Sequence, residues 1–302
     1  MRKFLSALSL AALAAPSLAA ADKPVTPNDV VDATAASDWQ RIAPGDLMVM
    51  DLAPDANGRP RRVVIQLMPA PFSQGWVGNI RKLVAAHWFD GIAVVRVQDN
   101  YVVQWGDPDG ETTGKAKALP GDLKVVGEAE YTAPQEILAE KVLPGDSYAP
   151  HTGFYAGWPI AFDENIWPVH CYGMVGVGRN LSPDTGTGAE LYTVIGQAPR
   201  QLDRNIALVG RIIAGMEHLS SLPRGTGALG FYETPEERTP IVSVRMGSEV
   251  AGLPAYEYLS TESASFAAYI DKRANRKDSF YIQPAGGVDV CNAPVPIRAV
   301  KP

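Results

Sequence analysis

The chain has 302 residues, and its 33 acidic against 27 basic side chains give a formal net charge of −6. That balance argues against nucleic acid as a partner, because a polyanion is met by clustered Lys and Arg. A hydrophobic share of 46% is ample for a core, while 25 prolines and 28 glycines, many at segment boundaries, suit short strands and irregular loops better than long helices, so mainly β structure is expected.

The first residues, MRKFLSALSLAALAAPSLAAA, open basic, continue through an apolar run broken by Pro16 and end in small residues before Asp22. This is the pattern of a cleavable secretory signal. Residues 1–21 are therefore expected to be removed after Ala21, with Ala19 nearly as suitable a site, leaving a protein that is periplasmic or secreted. No other segment approaches the roughly 20 apolar residues of a spanning helix. Cys171 and Cys291 are the two cysteines of the chain; an oxidising compartment lets them pair, the other reading being two separate buried thiols.

Residues 22–45 read as a polar leader. DLMVMDL (Asp46 to Leu52) and RVVIQLM (Arg62 to Met68) are strand-like runs around a turn at Asn57-Gly58, which predicts a hairpin. In SQGWVGNIRKLVAAHWFDG, Trp76, Ile80, Leu83, Val84 and His87 recur at helical spacing, with Ser73 as N-cap and Gly91 beyond the end. VVRVQDNYVVQWGDPDG (Val94 to Gly110) reads as a second hairpin turning at Gln98-Asp99-Asn100. Arg96 lies inside its first strand, and a guanidinium cannot be left unpaired in a sheet core, so it must face water or a groove that receives a polar ligand group.

From Asp107 to about Tyr155 the chain is rich in Gly, Pro and charge, and its one periodic trace is a helical turn at APQEILAEKV; this reads as a long surface excursion. AELYTVIG (Ala189 to Gly196) is a predicted strand, and NIALVGRIIAGMEHLSSL (Asn205 to Leu222) passes from strand into a short helix near Gly215. Farther on, PIVSVRM (Pro240 to Met246) is strand-like and ESASFAAYIDKRANRK is an amphipathic helix with Phe266, Ala267 and Ile270 inward.

His87, His151, His170 and His218 show no metal-ligand spacing. His170 beside Cys171 could suggest a thiol nucleophile, but neighbours on a strand point to opposite faces. MGSEVAG lacks the nucleophile elbow, and GMVGVG is too short a signal for a dinucleotide site.

Four stretches, in order and spacing, resemble the cyclophilin family of peptidyl-prolyl cis-trans isomerases. VVIQLMPAPFSQGWVGNIRKLV is similar to the family's strand and first helix, and FDGIAVVRVQDNYVVQWGDPDG to its aromatic-Arg hairpin leading to a Gln-x-Gly-Asp sequence. FDENIWPVHCYGMVGVGRN is similar to its Asp-Glu-Asn stretch and following strand, and GAELYTVIGQAPRQLDRNIALVGRIIAGM to its strand, Leu-Asp turn and late Phe-Gly-x-Val segment.

The resemblance implies a mainly β fold: a closed antiparallel barrel of about eight strands capped by two helices, over residues 46–230, with an insertion at about 107–160. Residues 231–302 would form a C-terminal extension packed on the barrel. It places Arg96 on the catalytic arginine, Gln104 on the groove glutamine, Tyr101 on the groove phenylalanine and Val102 on an apolar groove position. Tyr192 falls on a second pocket phenylalanine and Leu202 on the pocket leucine. The sequence departs from the family pattern in having Ala189-Glu190 for Ser-Gln, Ile206 for a pocket histidine, Val95 for the histidine before the arginine, and Arg179 for an asparagine whose backbone meets substrate. Arg179, Glu190 and Ile206 thus join the substrate-binding candidates. The implied partners are proline-containing polypeptides, with no metal or cofactor and a monomer favoured. The alternative is a catalytically weak, cyclophilin-like peptide-binding chaperone of the cell envelope.

Overall fold

The computed structural model describes residues 25–136 and 139–300, so the predicted secretory signal lies outside them. The elements run α1 (Pro27–Asp32), β1 (Trp39–Ile42), β2 (Leu47–Leu52), β3 (Arg61–Leu67), α2 (Gln74–Ala85), β4 (Ala93–Val97) and β5 (Val102–Gly106). Next come β6 (Ala133–Pro134), β7 (Lys141–Pro144), β8 (His151–Tyr155), β9 (Trp158–Phe162), β10 (Asn165–Pro168), β11 (Met174–Val177), β12 (Leu191–Val194) and β13 (Leu208–Ala214). The chain ends with α3 (Glu217–Ser220), β14 (Thr239–Met246), β15 (Tyr256–Leu259), α4 (Ala264–Ala274) and β16 (Ile297–Ala299).

Eight strands close into an antiparallel barrel in the order β11-β12-β5-β4-β14-β2-β3-β13, with β13 returning to β11. The β2–β3 hairpin turns where the Asp55 carboxylate accepts the backbone N–H groups of Asn57 and Arg59 at 2.8 and 2.9 Å, while Gly58 takes a φ of +74° that suits glycine. Helix α2 packs on β13 and β14, burying Trp76, Val77, Ile80, Leu83 and Val84 along one face. Ser73 stands at its N-cap position in a left-handed conformation, but its side chain makes no capping bond. His87 lies past the helix end and is exposed, so it is not part of the apolar face expected of it.

Three expectations are corrected here. Strand β14 completes the barrel between β4 and β2, so the barrel runs past residue 230 and takes in part of what reads as an extension. Its alternating pattern is plain in sequence, but only closure of the sheet assigns it a neighbour. The excursion after Asp107 runs on to Pro168, past its expected end, and carries a second, five-stranded sheet in the order β6-β10-β9-β8-β7; APQEILAEKV supplies β6 and the start of β7 in place of a helical turn, with residues 137 and 138 outside the described ones. Short strands broken by Pro and Gly offer too few alternations to register as a pattern. The polar leader, finally, holds α1, which packs on α4, and β1, which pairs with β15 in the sheet β1-β15-β16.

One apolar core joins these parts. Phe154 of the inserted sheet meets Phe266 of α4 edge-on at 5.0 Å, and both are fully buried. Tyr269 is buried beside Phe266 and Ile270, while Ala267 is only half-buried. A disulfide joins Cys171 to Cys291 across 120 residues of sequence, a loop length for which chain entropy alone would credit about 4–5 kcal/mol. The bridge leaves Cys171 no thiol to act as a nucleophile, and His170 and Cys171 sit in a connection and not on a strand.

Candidate active site

The register of four adjacent strands assembles the site. Arg96 on β4 stands opposite Gln104 on β5, Gln104 opposite Tyr192 on β12, and Tyr192 opposite Gly176 on β11. Directly opposed residues share a face. The next row, Val97, Val103, Thr193 and Val175, is fully buried in the barrel, so the row led by Arg96 lies on the outside.

An irregularity in β4 makes this possible. Val94 opposes Trp105 inside the barrel, but the register shifts between Val94 and Arg96, with Val95 as the extra residue. Strict alternation from Val94 would aim Arg96 inward; the bulge turns it out. The outer edge of β4 beyond its short pairing with β14 is taken by the segment 225–232, through Tyr232 N–H to Val95 O and Gly225 N–H to Val97 O, both 3.0 Å.

Arg96 is half-buried. Its Nε donates to Leu229 O at 2.8 Å, its Nη1 to Gln104 Oε1 at 3.0 Å and its Nη2 to Gln98 Oε1. The guanidinium lies between two rings, 5.6 Å from the centroid of Tyr101 and 5.1 Å from that of Phe231. Burial lowers its pKa, and Tyr101 and Glu190 act in the opposite direction. Gln104 passes the interaction on, its Nε2 donating to Glu190 Oε1. Glu190 is exposed as a whole residue, yet protein crowding around its carboxyl raises the pKa, against the lowering effect of the Gln104 bond.

Beside this polar line is an apolar patch: Val102, Tyr192 and Val194, with Tyr101 and Ile206 packed against them. Val102 opposes Val194 across the strands, one step along the same outer face. Gly176 is required beneath Tyr192, since a Cβ there would come within 2.3 Å of the phenol. Leu202, half-buried in a short turn, accepts the Ile206 N–H at 3.2 Å and stands one turn from the patch. Arg179 binds Asn205 O through Nε and Nη2 at 3.0 and 2.8 Å, and with Asn180, Leu181 and Ile206 it lines an open cavity of about 720 Å³ that continues from the patch.

The structure therefore brings Arg96, Tyr101, Val102, Gln104, Glu190, Tyr192 and Ile206 onto one surface, with Leu202 and Arg179 along its margin. Phe231, Leu229 and His170 also contribute, although the sequence gives none of them a place in the groove. Phe231, 40% exposed, forms the second ring against Arg96, and the Leu229 carbonyl holds its Nε. An exposed Leu-Gly-Phe in a Gly-rich stretch carried no periodic signal. His170, fully buried, receives the hydroxyl of Tyr192 at 2.8 Å.

A model of the family described as cyclophilin type peptidyl-prolyl cis-trans isomerase matches residues 58–246. Among solved structures, the cyclophilin AquaCyp293 from Hirschia baltica superposes with a TM-score of 0.64 at 21% identity, over 92% of this chain and 99% of that one. A cyclophilin type peptidyl-prolyl cis-trans isomerase of Cryptosporidium parvum, solved in the presence of the dipeptide Ala-Pro, gives a TM-score of 0.39 at 13% identity, over 66% of this chain and 98% of the other. No curated protein sequence matches. With the family match spanning most of the chain, from the β2–β3 turn to the end of the barrel-closing strand, the protein belongs to the cyclophilin-type peptidyl-prolyl cis-trans isomerases.

Proposed function

We propose that the protein isomerises X–Pro bonds of polypeptides folding outside the cytoplasm, with Arg96 as the catalytic donor. The single observation that carries this reading is the outer-face row of Arg96, Gln104 and Tyr192 beside the patch of Val102, Tyr101 and Ile206. Rotation about an X–Pro bond meets a barrier of roughly 18–20 kcal/mol imposed by amide resonance, with little energy between the end states. No nucleophile is needed. A cation aimed at the prolyl nitrogen favours the twisted state, in which the nitrogen lone pair localises, over both planar ones.

The patch receives the pyrrolidine ring, and Gln104 orients the guanidinium. A guanidinium carries more N–H donors than its three protein acceptors use, so Arg96 retains donors for substrate. The bridge between Cys171 and Cys291 supports an oxidising compartment, periplasmic or extracellular, in keeping with the expected secretory signal.

The contact of Glu190 with Gln104 favours a second reading, in which the groove holds proline-rich segments with little turnover, because a carboxylate there competes with substrate for the cationic row. A protease-coupled isomerisation assay on an Ala-Pro peptide separates the two. Turnover by the wild type that is lost in R96A, with the fold intact, is expected; an inactive wild type that still suppresses aggregation would leave the chaperone reading.

A further inference from the structure

Tyr192 occupies the floor of the pocket with a hydroxyl that an apolar pocket has no use for. The residue is 4% exposed, and burial holds its pKa well above the ordinary tyrosine value, so the hydroxyl keeps its proton and needs an acceptor. His170 Nε2 stands 2.8 Å away, with the two rings parallel to within 9°. The other ring nitrogen, Nδ1, faces Asp203 Oδ1 at 2.8 Å, and the same oxygen accepts the backbone N–H of His170 at 3.0 Å. Asp203 Oδ2 accepts from Arg200 Nε at 2.5 Å, and Arg200 Nη1 reaches Asp146 in the β7–β8 turn of the inserted sheet.

The direction of the bonds follows from the end of this chain. Arg200 can only donate, so Asp203 accepts, Nδ1 carries the imidazole proton, and Nε2 is the lone pair that takes the Tyr192 hydroxyl. The tautomer is assigned from the partners on both sides.

We infer that His170 is a positioning residue of the prolyl pocket: by absorbing the Tyr192 hydroxyl it leaves only the apolar ring face toward substrate. This rests on the isomerase reading for the identity of the ligand, but not on turnover. Two substitutions separate the nitrogens. H170N keeps an amide donor near the position of Nδ1 for Asp203 and has nothing at Nε2; H170Q reaches toward Nε2 and restores a partner for the hydroxyl.

The test is the dissociation constant of an Ala-Pro peptide by calorimetry, with kcat and KM measured in parallel and near-UV circular dichroism confirming a packed core. An orphaned buried hydroxyl that turns into the pocket predicts that H170N weakens peptide binding about tenfold and raises KM more than it lowers kcat, while H170Q stays within about threefold of wild type. In a Y192F background, H170N should have no further effect on affinity. Equal losses in H170N and H170Q, or an H170N loss that persists in Y192F, would assign His170 to general packing and overturn the inference. Peptide binding that follows the expected pattern without turnover would support it while removing the enzymatic reading; a wild type that neither binds nor isomerises would overturn both.

Discussion

The barrel carries the same cross-strand pair twice on its outer surface. Arg96 opposes Gln104, and Arg211 opposes Gln66; in each pair the guanidinium bonds the glutamine side chain and lies over aromatic rings. What covers them differs. The inserted sheet and β15 close over Arg211, whose Nη1 donates to Gly157 O at 2.6 Å and whose guanidinium sits 4.2 Å from the Trp158 ring and 5.9 Å from that of Tyr258. Burial pushes its pKa down to about 9, still above neutral pH, and among the described residues no carboxylate pairs with it. Arg96 is walled by the segment 225–232 on one side and by Tyr101 on the other, with no second layer of the described residues laid over it, and remains half-open. One arginine is spent on joining layers and the other is left available, although their strand contexts are alike.

The contrast is broken most sharply at Arg96. R96A is expected to lower kcat/KM about 10²–10³-fold, the loss typical of one preorganised donor, while thermal melting moves little. At Arg211 the signs exchange. R211A should destabilise by about 3 kcal/mol, read from urea denaturation, because it empties space under Trp158 and strips the partners from Gln66 and Gly157 O, yet turnover of the folded protein should persist. R211M, which restores volume without a buried cation, should recover more than half of that loss. A variant R211A that unfolds no more easily than wild type would show that the cover is held elsewhere.

The tail that brings β15 over Arg211 is itself tied by the Cys171–Cys291 bridge. Removing it in C171S/C291S should lower stability by about 2 kcal/mol, at the low end for disulfides because the tail also packs through Phe266 and Val290, and should expose the C-terminal segment to limited proteolysis first. Early loss of the tail from the oxidised wild type would contradict this. The smallest effect is expected at Glu190. E190Q should raise kcat/KM about two- to threefold at neutral pH by removing a negative charge near Arg96. Since the folded pKa of Glu190 is raised, its ionised form is the disfavoured one, and the wild type should gain on E190Q as pH falls through that pKa. A ratio independent of pH would place the charge outside the reach of the groove.

Strands with several alternating residues were legible in the sequence. The β2–β3 and β4–β5 hairpins, α2 and β12 all lie where their periodicity and turn residues put them, since each has enough side chains on one face to repeat. The inserted sheet was not: β4, β5 and β12 are as short but hold runs of β-branched and aromatic residues, whereas every strand of the inserted sheet contains a Pro or Gly. At the site, Arg96 was conspicuous as a charge among β-branched residues, whereas Phe231 meets Arg96, and His170 meets Tyr192, across stretches of chain too long for the local sequence of either segment to specify the neighbour.

The sequence by itself determined that Arg96 could not be left in a sheet core, since the desolvation of a guanidinium is a property of the residue and the hydrophobic run around it. Which face it would take was decided by the tertiary structure alone. A one-residue bulge at Val95 sets the side, and the packing of segment 225–232 on one edge and of the inserted sheet elsewhere decides which of two equivalent arginines stays open. Strand alternation is a local rule, but cover is a matter of what the rest of the chain lays on top.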